Sequence, residues 1–353
     1  MLTGPVEIVG TGLLGTSVAL ACRRAGLDVL LSDVSPEHIR TATGLGAGRA
    51  TEPGDRPQLV VVAVPPADLG AVIGRALAER PDAVVTDVGS VKSAPLAVLE
   101  ASGADLSRYV GSHPMAGSER SGPLAASDVL FEGRPWAVTP HATSDPEAVA
   151  LVEQLVRICG AVPLALSPQE HDRAVARTSH VPHLMSALVA ARLAEAPGEH
   201  LALSGQGVRD VTRVAAGDPA LYGQIVAGNA DAVVDLLQEV RRQLDVLIDA
   251  VSSSDRDALA AVLEQGVAGT RAIPGKHGGP PTPMASVFVT IPDHPGELAR
   301  LFADAGEIDV NIEDVRIDHD PGRAVGIMEL VVAAAHADHL LASLESRDWV
   351  AHR

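Results

Sequence analysis

The sequence predicts an α/β fold: a doubly wound parallel sheet, followed by an all-α domain and a C-terminal ferredoxin-like βαββαβ domain. Short apolar runs alternate with helix-length segments over residues 1–166, as in a parallel sheet with helices on both faces. Long Ala- and Leu-rich segments over residues 167–272 predict helices. A predicted linker over residues 273–284 precedes residues 285–353, where strand-like segments return.

Hydrophobic periodicity predicts the elements of the first domain. The run Leu59-Val-Val-Val-Ala-Val64 is apolar at every position, which predicts a central strand covered on both faces. Strands are predicted over residues 6–9, 29–31, 59–64, 83–86 and 136–138, and helices over residues 14–25, 66–80 and 146–159.

The later elements follow from segment length and turn residues. Helices are predicted over residues 168–196, 201–216, 220–252 and 254–265, with breaks at Ala-Pro-Gly and Gly-Asp-Pro. Four prolines and three glycines in residues 273–283 predict the linker. Beyond it, strands over residues 286–291, 310–317 and 324–332, helices over residues 296–305 and 336–345, and a short last strand give the split βαβ order, with a turn at Asp320-Pro-Gly322.

Composition and charge restrict the classes of function. With 46% apolar and 20% charged residues, the 353-residue chain is typical of a globular protein and not of a disordered or collagen-like one. A net charge of −18 argues against nucleic acid and anionic membranes as partners. Cys22 and Cys159 form no CxxC pair, and we find neither a spanning apolar segment nor a basic leader. We therefore expect a cytoplasmic protein.

A glycine-rich loop follows the first predicted strand and opens the first predicted helix, with the sequence Gly10-Thr-Gly12-Leu13-Leu-Gly15. Gly10 permits the tight turn, Gly12 lets a pyrophosphate approach the backbone, and Gly15 lets helix and strand pack closely. Asp33 ends the second strand, where its carboxylate can bind ribose hydroxyls and would repel a 2′-phosphate. A purely structural turn is the alternative, but strand, helix, acid and spacing together predict a Rossmann-type domain that binds NAD.

Two further segments follow predicted strands at the sheet edge where open α/β folds bind ligands. The segment Thr86-Asp-Val-Gly-Ser90-Val-Lys92 is one, and residues 111–122 are the other. The second is too rich in Gly, Ser and Pro to be core, and it carries His113, which near neutral pH can accept a proton from a substrate hydroxyl. A capped surface loop with an incidental histidine is the alternative interpretation.

The helical part contains two other groups of polar residues. Arg209 and Arg213 lie one turn apart among Gly and Val residues that do not resemble an exposed helix face, which favours an anionic ligand over solvent. His180 and His183 are three residues apart, but no set of further ligands accompanies them, so we expect no metal. A buried polar pair, or one histidine that lines the cleft, is the favoured interpretation.

Five motifs, in order, resemble the prephenate dehydrogenase family of tyrosine biosynthesis, and they occupy residues 10–17, 87–92, 113–122, 179–183 and 209–219. The most specific is Ser112-His-Pro-Met-Ala-Gly-Ser-Glu-Arg-Ser-Gly122. The C-terminal segments Asp293-His-Pro-Gly-Glu-Leu298 and Val310-Asn-Ile312 resemble an ACT domain, a small module that senses amino acids.

The resemblance implies NAD-dependent oxidative decarboxylation of prephenate to 4-hydroxyphenylpyruvate. In that reaction His113 would accept the proton of the ring carbinol, and Ser90 would hydrogen-bond the same hydroxyl or His113. The residues that match substrate-binding positions are Arg213, Arg209, Ser118, Glu119, His183 and Tyr222. In the ACT-like segment, Asp293, Gly296 and Asn311 would bind a regulatory aromatic amino acid, with tyrosine as the expected effector. A homodimer is expected.

Departures from the family pattern leave the substrate open. Arg209 stands where a lysine is common, Tyr222 where Trp is familiar, and Gln206 where glycine is common. An arogenate, dual-specificity or aminodeoxyprephenate dehydrogenase would use the same residues, and Glu119 could bind the ammonium group of arogenate. A non-catalytic regulator that binds NAD and an amino acid is a third interpretation, against which His113 argues. Dehydrogenases of β-hydroxy acids would have a lysine in place of that histidine.

Overall fold

The computed structural model describes residues 1–117, 120–274, 283–319 and 325–353. They divide into two compact units, Met1–Arg242 and Gln243–Arg353. The strands are β1 (Val6–Val9), β2 (Val29–Ser32), β3 (Arg49–Ala50), β4 (Leu59–Val62), β5 (Val84–Asp87), β6 (Tyr109–Pro114), β7 (Pro135–Thr139), β8 (Val162–Ala165), β9 (Met284–Pro292), β10 (Ile312–His319), β11 (Val325–Ala333) and β12 (Ala351–His352). The helices are α1 (Leu13–Arg24), α2 (Pro36–Gly44), α3 (Leu69–Glu79), α4 (Ser93–Ala101), α5 (Pro146–Ile158), α6 (Pro168–Val175), α7 (Val181–Ala194), α8 (Gly198–Leu201), α9 (Gln206–Thr212), α10 (Pro219–Gly228), α11 (Ala230–Ser252), α12 (Arg256–Arg271), α13 (Glu297–Glu307) and α14 (Ala334–Glu345).

The first unit is built on a sheet with the strand order β3-β2-β1-β4-β5-β6-β7-β8. All neighbouring pairs are parallel except β6 and β7. The chain moves outward from β1 to β3 and then returns to the other side of β1 with β4, so the order reverses between β1 and β4. This confirms the predicted doubly wound sheet, in which ligands bind at the carboxyl ends of strands beside such a reversal.

Burial explains the central strands. Every residue of β4 is buried, as predicted from its continuous apolar run. The strand ends at Val62 rather than at the predicted Val64, just before the Pro65-Pro66 pair, which has no N–H groups to donate. The apolar positions of β1 and β2 are likewise buried against α1 and α5.

The strand β6 corrects the interpretation of residues 111–122 as a loop. Gly111 and Ser112 are buried within it, although the Gly, Ser and Pro content suggested a surface segment. Gly111 is required for packing, because a Cβ atom there would lie 2.7 Å from Thr139 Oγ1 on β7. The short edge strands β3 and β8 were also missed, and β8 is largely exposed.

The predicted long helices are interrupted. A π-helical turn, Ala176–His180, separates α6 from α7. A 3₁₀ turn, Arg213–Ala216, follows α9. The predicted helix over residues 220–252 breaks at Asn229, whose side chain makes hydrogen bonds outside its own helix. A capping box between Ser167 and Glu170 fixes the start of α6.

The strands of the second unit form an antiparallel sheet with the order β10-β11-β9-β12, and its chain order is β9-α13-β10-β11-α14-β12. Alternate residues of β9 and β11 are buried in one cluster with residues of α13 and α14, so both helices cover the same face. This is the predicted split βαβ order. Residues 275–282 of the predicted linker and the predicted turn at residues 320–322 lie outside the described residues. No helix among the described residues is long and apolar enough to span a membrane.

Candidate active site

The glycine loop connects β1 to α1 and leaves an open approach to the backbone. Gly10 has φ +98°, and a Cβ atom there would lie 2.3 Å from the carbonyl oxygen of Ala63 on the neighbouring segment. A Cβ atom on Gly15 would lie 1.9 Å from the Gly10 carbonyl oxygen, whereas one on Gly12 would meet no atom within 4 Å. Gly12 is the N-cap of α1 and offers no side chain, so the first-turn N–H groups near Leu13 face open space. That arrangement fits the pyrophosphate of a dinucleotide.

Asp33 lies directly after β2 and is held against the same loop. Its carboxylate accepts hydrogen bonds from the backbone N–H of Thr11 at 2.6 Å, the Thr11 hydroxyl at 2.9 Å and the Ser35 N–H at 2.7 Å. Burial would raise the pKa of Asp33, but the backbone hydrogen bonds from Ser35 and Thr11 lower it below its ordinary value. The carboxylate is therefore charged at neutral pH, beside the glycine loop, where a ribose of NAD can be bound.

His113 lies at the end of β6 and is hydrogen-bonded through one ring nitrogen. Its Nδ1 lies 2.9 Å from His171 Nε2, and His171 Nδ1 lies 2.9 Å from Asp172 Oδ1. The other nitrogen, His113 Nε2, has no hydrogen-bond partner among the described residues and is not one of their buried unpaired atoms. It is therefore accessible to a ligand. Since β6 runs parallel to β5 and β5 to β4, His113 shares the sheet edge at which the glycine loop emerges from β1.

A buried polar cluster lies behind His113. Lys92 Nζ forms an ion pair with Asp87 and donates a hydrogen bond of 2.7 Å to the Ser112 carbonyl oxygen. The hydroxyl of Tyr109 donates to the second carboxylate oxygen of Asp87 at 2.9 Å. Burial lowers the pKa of Lys92, and Asp87 opposes that change. The cluster therefore fixes the backbone of β6 immediately before the histidine and places a cationic group near it.

The environment keeps His113 neutral. Burial lowers the pKa of His113 well below 6.5, and the positive charges that His171, Lys92 and His180 can carry lower it further. The imidazole is therefore unprotonated at neutral pH and can accept a proton. The role of His113 as a base stays a prediction, and the residue lies within strand β6 rather than after a strand, as the sequence had indicated.

Ser90 is a second residue that the sequence predicts near the base. Ser90 lies in the loop between β5 and α4, at the same sheet edge, and makes no hydrogen bond to His113 or to any other described residue. Its hydroxyl is therefore free for a substrate. Ser118 and Glu119 lie outside the described residues.

Arg209 and Arg213 lie on α9 and on the 3₁₀ turn that follows it, and both are exposed. Neither forms an ion pair within the part of the chain that is described, and Asp210 accepts a hydrogen bond from Gln206 Nε2 at 2.9 Å instead. Both guanidinium groups can therefore bind an anion. The expectation that their neighbours are buried is wrong for this chain, because Val211 is 54% exposed. A short helix between two turns buries little of its surface.

The structure separates His180 from His183. Both are buried, but His180 Nδ1 accepts a hydrogen bond from Asn229 Nδ2 at 3.2 Å. Burial lowers the pKa of His180 to about 4, with Asp172 opposing the change. His183 instead stacks on Tyr222 with ring centroids 3.4 Å apart, and its Nδ1 is buried without a partner among the described residues. The two histidines therefore occupy different environments rather than one shared site.

A single chain does not bring the predicted effector residues together. Asp293 and Gly296 lie between β9 and α13, whereas Asn311 immediately precedes β10. Both β9 and β10 pair antiparallel with β11, so they run in the same direction. The residue after one strand and the residue before the other are therefore at opposite ends of the sheet. Asn311 Nδ2 donates to Glu313 at 2.7 Å.

Sequence reasoning missed His171 and Asp172. They lie in the run Pro168-Gln-Glu-His-Asp-Arg-Ala-Val175, where charged residues resemble a solvated helix face. Both side chains are buried nevertheless, because α6 packs against α4 and β7. The amphipathic spacing of His171, Asp172 and Val175 was the available signal, but it cannot show that the histidine faces another imidazole.

Comparisons with known proteins agree with the sequence motifs. The family model for the prephenate dehydrogenase nucleotide-binding domain matches residues 18–164, and the model for the dimerization domain of the same family matches residues 167–265. A probable prephenate dehydrogenase of Streptomyces niveus, NovF, is 37% identical over 356 residues, with 98% of each chain covered. The prephenate dehydrogenase of Bacillus subtilis strain 168 is 28% identical and covers 88% of this chain and 87% of its own.

Two solved structures of dehydrogenases are also similar to this chain. The prephenate dehydrogenase of Aquifex aeolicus in complex with hydroxyphenyl propionate and NAD⁺ has a TM-score of 0.68 and 29% identity, covering 75% of this chain and 96% of its own. The arogenate dehydrogenase of Synechocystis has a TM-score of 0.66 and 27% identity, covering 75% of this chain and 98% of its own.

Proposed function

The chain belongs to the prephenate dehydrogenase family and acts as an NAD-dependent oxidoreductase on prephenate, and from this premise we propose that His113 is its catalytic base. The observation that carries the proposal is the hydrogen bonding of the imidazole. His113 Nδ1 is occupied by His171 at 2.9 Å, while Nε2 is free and the ring is neutral at neutral pH. A neutral imidazole with an accessible lone pair can act as the general base that accepts the proton of the carbinol hydroxyl.

The proton and electron balance of the reaction assigns the remaining steps. Bound NAD supplies the acceptor for the hydride that leaves the ring carbinol carbon of prephenate. His113 Nε2 takes the hydroxyl proton at the same time. Loss of the ring carboxylate as carbon dioxide leaves its electron pair in the ring, which becomes aromatic, and the phenolate oxygen then recovers the proton from His113. The step is effectively irreversible because it forms an aromatic ring and releases a gas.

Two further groups position the substrate in this proposal. The Ser90 hydroxyl donates to or accepts from the substrate hydroxyl, since no described residue occupies it. Arg213 binds a substrate carboxylate, and Arg209 supplies a second cation one turn away. Both are free of ion pairs among the described residues, and the full chain carries a net charge of −18. His183 and Tyr222 form a flat stacked pair beside the turn that carries Arg213, and they border the substrate.

The test is a comparison of two substrates on the purified full-length protein. We expect NADH formation with prephenate and NAD, accompanied by stoichiometric carbon dioxide and 4-hydroxyphenylpyruvate. Arogenate is measured in parallel, because it differs from prephenate only in carrying an amino group in place of the side-chain keto group. A kcat/KM that is higher with arogenate than with prephenate would contradict prephenate as the preferred substrate. Absence of activity with both substrates would contradict the assignment of the protein as a dehydrogenase.

We also propose that the C-terminal βαββαβ segment is an ACT-type sensor of tyrosine and that the protein is a homodimer. The element order and the sheet order support the first proposal. Because Asp293 and Asn311 lie at opposite ends of the sheet in one chain, an effector site that uses both needs a second copy. Exposed apolar residues on α11 and α12 support a dimer, among them Ile248 and Leu263, which are 51% and 61% exposed. Sedimentation at micromolar concentration tests this, and a monomer would contradict it. The expected compartment remains the cytoplasm.

A further inference from the structure

His113, His171 and Asp172 form a hydrogen-bonded row whose proton positions follow from the Asp172 carboxylate. Asp172 accepts hydrogen bonds from the backbone N–H groups of Lys92 at 2.9 Å and Ser93 at 2.8 Å. A carboxylate can only accept, so the His171 Nδ1 atom, which lies 2.9 Å from it, must carry a proton. In neutral His171 the other nitrogen, Nε2, then has the lone pair. It must accept, so His113 Nδ1 is the donor across the 2.9 Å contact.

We propose that His171 and Asp172 are positioning residues that hold His113 in the Nδ1–H tautomer, so that the lone pair of Nε2 faces the substrate. The proposal rests on the role of His113 as the base. It assigns the two residues that hold its imidazole in the form that can accept a proton. In the free side chain the Nε2–H tautomer is the preferred form, and in that form the accessible nitrogen could not accept a proton. Without its neighbours the imidazole would therefore present the wrong nitrogen state to the carbinol.

The Asp172 carboxylate stabilises the row electrostatically as well. Burial would raise the pKa of Asp172, but hydrogen bonds from His171, Ser93 and Lys92 lower it below its ordinary value, so it is charged at neutral pH. When His113 takes the substrate proton, its Nδ1–H can share the positive charge with His171, whose opposite nitrogen faces that carboxylate. No net proton leaves the row, because the same proton returns from His113 Nε2 to the phenolate.

The same carboxylate aligns the base with the serine loop. Lys92 and Ser93 follow Ser90 by two and three residues, so the bonds of Asp172 to their N–H groups tie that loop to the helix that carries His171. Asn229 Nδ2 donates to the backbone carbonyl oxygen of Asp172 at 2.7 Å, which fixes the helix from the other side. The Asp172 carboxylate therefore helps to position both the Ser90 hydroxyl and the His113 imidazole, which are proposed to contact the substrate carbinol.

Two substitutions of His171 separate positioning from packing. In His171→Gln, the amide oxygen can accept from His113 Nδ1–H while the amide N–H donates to Asp172, so the tautomer is retained. In His171→Phe, the ring volume is retained but both hydrogen bonds are lost. We expect the glutamine variant to keep kcat within about tenfold and the phenylalanine variant to lose roughly 10²-fold or more. A merely structural role predicts the reverse order, because the interior is packed to size. Circular dichroism and NAD affinity verify folding.

The pH dependence gives a second readout. The groups that face His113 are His171 and Asp172 of α6, Lys92 of the loop before α4, and His180 of the π turn. His171→Phe removes both the hydrogen-bond acceptor of protonated His113 and the positive charge that His171 can carry, and each of them affects the pKa of His113. We therefore expect the acid limb of kcat/KM, where activity declines as pH falls, to move in His171→Phe. An unchanged limb with an unchanged rate would overturn the proposal.

The tautomer can also be observed without the reaction. Long-range ¹H–¹⁵N correlation spectra, assigned by comparison with His113→Asn, distinguish a protonated from an unprotonated imidazole nitrogen. We expect His113 to carry its proton on Nδ1 at neutral pH in the full-length protein. A proton on Nε2 would refute the positioning role even if prephenate is oxidised. Conversely, an Nδ1–H tautomer could be observed while the His113→Asn variant remains active. That result would refute His113 as the catalytic base but not the tautomer set by His171 and Asp172.

Discussion

At the scale of single residues, the chemistry depends on which polar groups are satisfied inside the protein. Asp87, Lys92 and Asp172 are buried and hydrogen-bonded, and they hold the backbone of Ser112, directly before the base, and the backbone at Lys92 and Ser93. Ser90 and Arg213 differ, because described residues leave them without partners. Residue type and motif spacing could predict His113, Ser90 and Arg213. They could not predict the positioning pair at His171 and Asp172, since an adjacent His-Asp is common on solvated helices.

The free guanidinium of Arg213 gives a prediction at this scale. Arg213→Ala should raise KM for prephenate about 10- to 100-fold with a smaller effect on kcat, because a charge-assisted contact to a carboxylate is lost. Steady-state NADH formation measures both constants. Arg192→Ala, which removes another exposed arginine of the helical segment, is the matched control and should change neither. A KM that stays the same in both variants would exclude Arg213 from substrate binding.

At the scale of elements, periodicity predicted the central strands because their burial is complete and continuous. It failed where packing, rather than periodicity, decides. The strand β6 contains Gly111, whose missing side chain makes room for Thr139, and composition alone suggested a loop. The helix predicted over residues 220–252 breaks because Asn229 binds Asp172 and His180, which are distant in sequence. Long-range contacts of this kind leave no local pattern.

The packing of β6 can be tested by adding one methyl group. Gly111→Ala should destabilise the first unit by about 1–3 kcal/mol, because its Cβ would lie 2.7 Å from Thr139 Oγ1, 3.1 Å from Tyr109 Oη and 3.2 Å from Lys92 Cδ. Urea unfolding measures the change. Gly223→Ala on α10 is the control, since a Cβ there meets nothing within 4 Å and alanine favours a helix. Equal stability of the two variants would show that β6 is not tightly packed.

At the scale of the whole molecule, the described residues form two compact units. The sheet and helices of the first unit carry the glycine loop, Asp33 and the base, while the second unit contains the βαββαβ arrangement. The alternation of strands and helices in the first unit and the βαββαβ order in the second could be predicted from periodicity and turn residues. The domain boundaries at residues 166 and 272 remain predictions, and the sequence could not show that the effector residues of one chain lie at opposite ends of a sheet.

The proposed response to tyrosine is tested at this scale. Tyrosine added to the full-length enzyme should lower its rate with prephenate, and Asp293→Ala should weaken that inhibition at least tenfold while leaving the rate without tyrosine unchanged. Glu345→Ala, an exposed acidic residue of α14 with no described partner, is the matched control and should retain the response. Inhibition curves at fixed prephenate measure the effect. An enzyme that ignores tyrosine and other aromatic amino acids would rule out the proposed sensor.

The most direct test of His113 as the base is the pH profile of kcat/KM for prephenate in the wild-type protein and in His113→Asn. Because burial lowers the pKa of His113 well below 6.5, the wild-type profile should stay flat through neutral pH and decline only as pH falls through that lowered value. The variant should lose about 10²- to 10⁴-fold at neutral pH, bind NAD as before and lack the acid limb. A variant that keeps either the rate or the limb would contradict the account.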